Sequence, residues 1–232
     1  GEAVMKPDLA SAIPVLTIDG PSGAGKGTVA SLVAQAKGWH LLDSGALYRI
    51  IAVAGLGRGI DLADVASLVS LSEQLEITFA DDKVTVDGRD FTDAIRSEEA
   101  GNSASQVAAL PPLRAAILKL QQDFRKAPGL VADGRDMGTV VFPDAPVKVF
   151  LDASAEARAE RRYNQLKNKG LGVNLRALLE QIQERDARDR ERAVAPLKPA
   201  EDAVIIDSTL MSIDEVVTTV LTQLSIKLNE VE

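Results

Sequence analysis

The chain has 232 residues, roughly one and a half domains at about 150 residues each, and its 46% apolar and 26% charged residues exclude a wholly disordered chain. It has no cysteine and a single histidine, His40, which excludes disulfides, cysteine-held zinc or iron–sulfur centres and a histidine-rich metal site. With 26 Lys and Arg against 34 Asp and Glu, a net charge of −8, and only five Phe, two Tyr and one Trp, it lacks the basic surface and stacking rings of a nucleic-acid binder.

Residues 1–14 include Lys6 and Asp8 and no apolar run of signal-peptide length. No stretch approaches the roughly 18 consecutive apolar residues of a membrane span. The expectation is a soluble cytoplasmic protein. Val15-Leu16-Thr17-Ile18 then reads as a buried strand ending at Asp19. A glycine-rich segment, 20–27, precedes a helix over 28–37. His40-Leu41-Leu42 is a short strand stopping at Asp43-Ser44-Gly45, and a helix runs on to about Ala54, broken by glycines at 55–59. Residues 62–74 read as helix.

The texture changes next. Residues 75–79 and 83–87 alternate apolar and polar about an Asp-Asp turn, which predicts a half-exposed antiparallel hairpin. By contrast 15–18, 130–132, 147–151 and 203–206 are almost continuously apolar, as parallel strands covered on both faces are. Helices are expected over 111–126, 154–169, 174–192 and 213–228. Strands alternating with helices predict an α/β fold of three layers around a central parallel sheet. A small subdomain is inserted between 61 and 103.

Gly20-Pro21-Ser22-Gly23-Ala24-Gly25-Lys26 fits the first seven positions of a P-loop, straight after a strand and opening a helix. There the backbone N–H groups, the helix N-terminus and the lysine all present positive charge to a phosphate. A plain glycine turn is the alternative, and the strand before and helix after argue against it. The hydroxyl that usually follows the lysine is displaced by one place, Gly27 preceding Thr28. The direct magnesium ligand of P-loop GTPases is therefore missing, and Gly-Lys-Gly-Thr is what small-molecule nucleotide kinases carry. The nucleotide-binding residues read here are Gly20, Pro21, Ser22, Gly23, Ala24, Gly25, Lys26, Gly27 and Thr28.

Eight of the fifteen arginines lie between Arg158 and Arg192. On a helix Arg185, Arg188, Asp189 and Arg192 fall at i, i+3, i+4 and i+7 and share a face. A solvated, salt-bridged face is the alternative, but three arginines to one acid leave an excess that wants an outside anion. Arg158, Arg161 and Arg162 cluster beside Lys169-Gly170-Leu171-Gly172, a candidate lid hinge. Arg49 and Arg135 sit beside strand ends, where open α/β sheets bind ligands. Ser44 and Asp133 have plainer alternatives as a helix cap and a strand cap, and Arg114 is ambiguous by spacing.

Four segments together carry a resemblance to the bacterial cytidylate kinases along nearly the whole chain from Ile13: residues 18–28 (IDGPSGAGKGT), 42–49 (LDSGALYR), 133–139 (DGRDMGT) and 185–190 (RDARDR). The resemblance implies transfer of the ATP γ-phosphate to CMP or dCMP with Mg2+, on a kinase domain over 13–232 whose insert at 61–103 binds the monophosphate and whose lid spans 158–173. It implies that Ser44, Arg114, Asp136 and Arg192 read the cytosine, with Ser105 beside them and Tyr48 also at the acceptor. Arg49 and Arg135 would grip the acceptor phosphate, and Arg185 with Asp189 the sugar. Lys26, Arg135 and the lid arginines Arg158 and Arg162 would be catalytic.

A phosphate acceptor is mostly dianionic at pH 7, its second pKa being about 6. No general base is therefore required, and His40 is read as packing. No protein-held metal and no nucleic-acid or membrane partner is expected, and the chain is read as a monomer. Another P-loop kinase with a different acceptor, or a P-loop binding module without phosphotransfer, are the alternatives. The second would leave Arg49, Arg135 and Arg185 idle.

Overall fold

Five consecutive buried residues, Val15–Asp19, form β1, and the glycine-rich segment after it gives way to α1 (Lys26–Lys37). The computed structural model describes residues 12–192 and 195–229; what was expected of residues 1–11 falls outside them. The described chain divides into two compact units, one of residues 12–14 and 38–130, the other of 15–37 and the described residues from 131 onward.

In the first unit β2 (His40–Asp43) leads into α2 (Ser44–Gly57). Asp43 caps this helix, its carboxylate accepting from the Ala46 N–H at 3.3 Å. The capping alternative for Ser44 therefore falls away, and its hydroxyl is left for another partner. The helix outruns the expected stop because Gly55 does not break it. Gly55 is buried, and a Cβ there would stand 3.1 Å from Leu68 Cδ2. α3 (Val65–Gln74) follows, capped by Asp64. The expected hairpin is β3 (Ile77–Ala80) with β4 (Lys83–Val86), antiparallel across Asp81 and Asp82 at φ 53° and 59°. Two positive φ values are what a type I′ turn demands. A third short strand, β5 (Arg89–Asp90), extends it and was not expected.

α4 (Glu98–Ala108) was not expected either. Its small polar residues hide the helical pattern, but Ser97 accepts from the Ala100 N–H at 3.0 Å, and Glu98 and Glu99 complement the helix dipole. α5 (Pro111–Asp123) begins with proline in its first turn. α2 packs on α4 and α3 on α5, around Leu47, Ile50, Ile51, Leu68, Val107, Leu113 and Ile117, all fully buried. His40 does not pack in this core: it is exposed, with Nε2 3.0 Å from the Ala127 carbonyl.

The second unit adds β6 (Leu130–Gly134), β7 (Val147–Asp152), α6 (Ala155–Asn168), α7 (Leu175–Glu191), β8 (Val204–Asp207) and α8 (Ile213–Lys227). Its strands lie in the order β6-β1-β7-β8, with Leu16 opposite Val147 and Val149 opposite Val204 in parallel register. α8 packs on α1 and α6 on α7. This is the expected α/β/α arrangement. The glycine-rich loop leaves the carboxyl end of β1 with β6 and β7 on either side, where doubly wound sheets bind ligands. A π-helical turn, Met137–Val141, follows β6.

Candidate active site

The loop after β1 has the backbone its sequence requires. A Cβ on Gly20 would meet the Leu151 carbonyl oxygen at 2.0 Å, and Gly23 sits at φ 77°, so glycine alone fits both. Lys26, partly buried at the start of α1, donates from Nζ to the carbonyls of Gly20 (2.9 Å) and Pro21 (3.2 Å). Burial, then the neighbouring Arg135, lowers its ammonium to about 8, while Asp133 and Asp19 pull the other way. A polyanion at the loop would relieve this crowding of positive charge.

Asp19, which the sequence marks only as the end of a strand, closes β1 beside the phosphate loop. Its two carboxylate oxygens accept from the N–H groups of Met137 and Gly138, each at 2.8 Å. The carboxylate thereby tethers the segment that carries Arg135 and Asp136 to the root of the phosphate loop. Burial pushes Asp19 up to about 6, against the two N–H donors, which favour the anion; Asp136 raises it further and Lys26 lowers it. The tight fit extends to Gly138, where a Cβ would lie 2.9 Å from Thr17 Oγ1. An acid ending an otherwise apolar strand just before the loop is the only signal the sequence offers for this.

The expected common face of α7 divides. Arg185 and Arg188 are exposed, whereas Asp189 is buried. Asp189 Oδ2 lies 2.7 Å from Arg135 Nε, an ion pair without hydrogen-bond alignment. Arg192 falls just past the helix, and its guanidinium donates to the Ala195 carbonyl. One turn earlier Asp186, also buried, receives both terminal nitrogens of Arg158 at 2.9 and 2.5 Å.

Arg158 is 2% exposed, and it also donates to the carbonyls of Ala153 (3.0 Å) and Ser22 (3.1 Å). In this arrangement it does not stand free as a lid arginine; it ties the phosphate loop to the acidic side of α7. Arg162, two turns into α6, is exposed, with no ion pair or hydrogen bond among the described residues.

Of the acceptor residues expected, Arg135, Asp136, Arg185, Asp189 and Arg192 lie in the second unit, and Ser44, Tyr48, Arg49, Ser105 and Arg114 in the first. In the first, Arg49 Nη1 donates to the Ile95 carbonyl at 2.8 Å and lies over Gly101, where a Cβ would stand 3.0 Å from Nη2. Ser44 donates to Gln121 Oε1 at 2.6 Å. The Ser105 hydroxyl turns back to the Gly101 carbonyl at 3.1 Å. Arg114, exposed on the first turn of α5, is free among the described residues. Gln121, buried and polar, was not singled out in the sequence. No helix of the described residues is long and apolar enough to cross a membrane.

The cytidylate kinase family matches residues 16–226. Over 222 residues the chain is 59% identical to the cytidylate kinase of Aeromonas hydrophila subsp. hydrophila, covering 94% of this chain and 96% of that one. Its identity to the cytidylate kinase of Pseudomonas paraeruginosa is 60% over 217 residues, 91% of this chain and 95% of that one. Among solved structures, shikimate kinase from Acinetobacter baumannii aligns with 96% of this chain and 97% of its own at 19% identity and a TM-score of 0.43, too remote to bear on activity. Matches of this identity and extent, on a chain with a P-loop at the carboxyl end of β1, settle the family: the chain belongs to the cytidylate kinases and transfers the γ-phosphate of ATP to CMP or dCMP, giving ADP and CDP or dCDP.

Proposed function

We propose that the loop Gly20–Thr28 holds the ATP phosphates, with Lys26 as the catalytic cation on the donor side. Arg49 and Arg135 grip the acceptor phosphate. Ser44, Arg114, Asp136 and Arg192 read the cytosine, with Tyr48 and Ser105 beside it, and Arg185 and Asp189 hold the sugar. The observation that carries this reading is the Asp19 tether, which supports Arg135 and Asp136 from the same strand end that launches the phosphate loop.

The reaction needs no general base, because the acceptor phosphate is already largely a dianion. Catalysis is then alignment of two anions and neutralisation of the charge that develops between them. Residues 61–103 are the monophosphate-binding insert and 158–173 the lid. Within the lid Arg162, exposed and without a partner among the described residues, closes on the transferring group, while Arg158 braces the loop through Ser22. Closure excludes water and so limits ATP hydrolysis.

The described residues contain no cluster of three or more His, Asp or Glu suited to a metal, and both oxygens of Asp19 already accept from backbone N–H. That donor set fits a magnesium ion that arrives on the nucleotide and keeps several of its waters. We take Mg2+ to come with ATP as part of the substrate, where it would supply charge neutralisation between donor and acceptor. We take the enzyme as cytoplasmic and monomeric.

The deciding assay follows ADP release from Mg-ATP with CMP, dCMP, UMP, AMP or no acceptor. Fast turnover confined to CMP and dCMP is expected. Acceptor-independent hydrolysis alone, with ATP still bound, would overturn the assignment of the acceptor residues.

A further inference from the structure

Leu113, Ile117 and Gln121 fall at i, i+4 and i+8 on α5, one stripe of the helix. The first two are fully buried core residues, and Gln121 is 7% exposed. A leucine would serve that stripe better, since a buried amide must find hydrogen-bond partners to offset its desolvation. The partner it finds is the Ser44 hydroxyl, which donates to Gln121 Oε1 at 2.6 Å. Helix capping does not compete for that hydroxyl, because Asp43 caps α2.

A serine hydroxyl has one proton and two lone pairs. With the proton committed to Gln121, Ser44 has only lone pairs to offer a ligand. It can accept a hydrogen bond and cannot give one. Cytosine carries an exocyclic amine, a donor, where uracil carries a carbonyl, an acceptor. An acceptor-only hydroxyl matches the first and meets the second lone pair to lone pair.

We propose that Gln121 is a positioning residue that sets base specificity: by taking the Ser44 proton it makes the hydroxyl an acceptor-only group, favouring a 4-amino over a 4-oxo pyrimidine. This rests on the reading of Ser44 as a base contact. Without Gln121 the hydroxyl turns freely, can donate to a carbonyl, and no longer discriminates.

The test is the ratio of kcat/KM for CMP to that for UMP in Gln121→Leu, Gln121→Glu and Ser44→Ala, with ATP KM and thermal melting as controls. Gln121→Leu keeps the stripe apolar, and Gln121→Met replaces it if the leucine variant melts far below the parent. The leucine or methionine variant is expected to lower the ratio about tenfold or more, partly through faster UMP turnover. Gln121→Glu, which as a carboxylate still accepts the Ser44 proton, is expected to keep the ratio within about threefold of the parent.

An unchanged ratio in the leucine or methionine variant, with a fallen ratio in Ser44→Ala, overturns the role of Gln121 and leaves Ser44 as a base contact. A ratio unchanged in Ser44→Ala overturns the base contact itself. Loss of the ratio in Gln121→Glu as large as in Gln121→Leu also overturns the proposal, because Gln121 would then act as a donor.

Discussion

Replacing Asp19 by asparagine separates the stability of this enzyme from its catalysis. The native carboxylate is held about two pKa units above its ordinary value of 3.8, at about 6. At 1.36 kcal/mol per unit, the charged form costs the folded state about 3 kcal/mol at pH 7. The sign follows from proton counting: between pH 3.8 and 6 the native state binds more protons than the unfolded one. This group therefore withdraws stability as pH rises through that window, and the loss is complete above pH 6.

Asparagine removes the charge but offers one acceptor to two N–H groups. Its amide nitrogen then faces the N–H of Met137 or Gly138, a mismatch of about 1–3 kcal/mol. The two effects nearly offset, so at pH 7 the variant should be as stable as the parent or about 2 kcal/mol more stable. Urea denaturation from pH 4 to 7 should show its stability relative to the parent rising with pH.

Catalysis should move the other way. With one tether gone, the segment bearing Arg135 and Asp136 loses its fixed height above the phosphate loop, and a misplacement on the order of 1 Å costs about a hundredfold in a positioned reaction. We expect kcat/KM for CMP to fall by about 10- to 100-fold. A variant with unchanged CMP kinetics, or one whose stability relative to the parent is flat between pH 4 and 7, would refute the role assigned to Asp19.

Other outcomes follow from the same geometry. Arg158→Ala or Asp186→Asn should each lower the free energy of unfolding by about 3–5 kcal/mol in urea, because either leaves a buried charge or polar group unpaired. A loss below about 1 kcal/mol with a large fall in kcat would return Arg158 to the transferring phosphate. Lys26, lowered to about 8, should regain its proton on meeting ATP, so binding calorimetry at pH 8.5 should register proton uptake and ATP affinity should weaken as pH rises above 8. Equal affinity at pH 7 and 9 would contradict this. Asp136→Asn should narrow the CMP-to-UMP preference by one to two orders of magnitude, roughly 1–3 kcal/mol, in steady-state kinetics with both acceptors. An unchanged preference would remove Asp136 from base reading.

Apolar continuity located the core strands because β1, β6 and β7 are covered on both faces. Alternation located β3 and β4 because they are not. α4 escaped because Gly101, Asn102, Ser103 and Ser105 are poor helix formers and only its cap and its buried Ala100, Ala104 and Val107 declare it. The phosphate loop was legible since its chemistry is local, six residues between a strand and a helix whose first residue is Lys26. The tether was not. Asp19 meets Met137 and Gly138 across 118 and 119 residues, and Arg158 meets Ser22 across 136. No periodicity within either segment encodes the meeting.

Arginine density along the chain does not tell which way each guanidinium faces. Along α7 the spacing puts Arg185, Arg188, Asp189 and Arg192 on one face, yet Arg185 and Arg188 are exposed and the acids Asp186 and Asp189 are buried. Asp186 and Asp189, three residues apart on the buried side, take arginines from elsewhere: Arg158 from α6 and Arg135 from the segment after β6. Buried acids at helical spacing thus sort the arginines into two sets. Arg158 is held by Asp186, and Arg135 by Asp189. Arg114, Arg162 and Arg188 make no ion pair or hydrogen bond among the described residues, and these have guanidinium groups to give an anion. Pairing, rather than density along the chain, separates arginines held by a partner in the fold, as Arg135 is by Asp189 and Arg49 by the Ile95 carbonyl, from those left without one among the described residues.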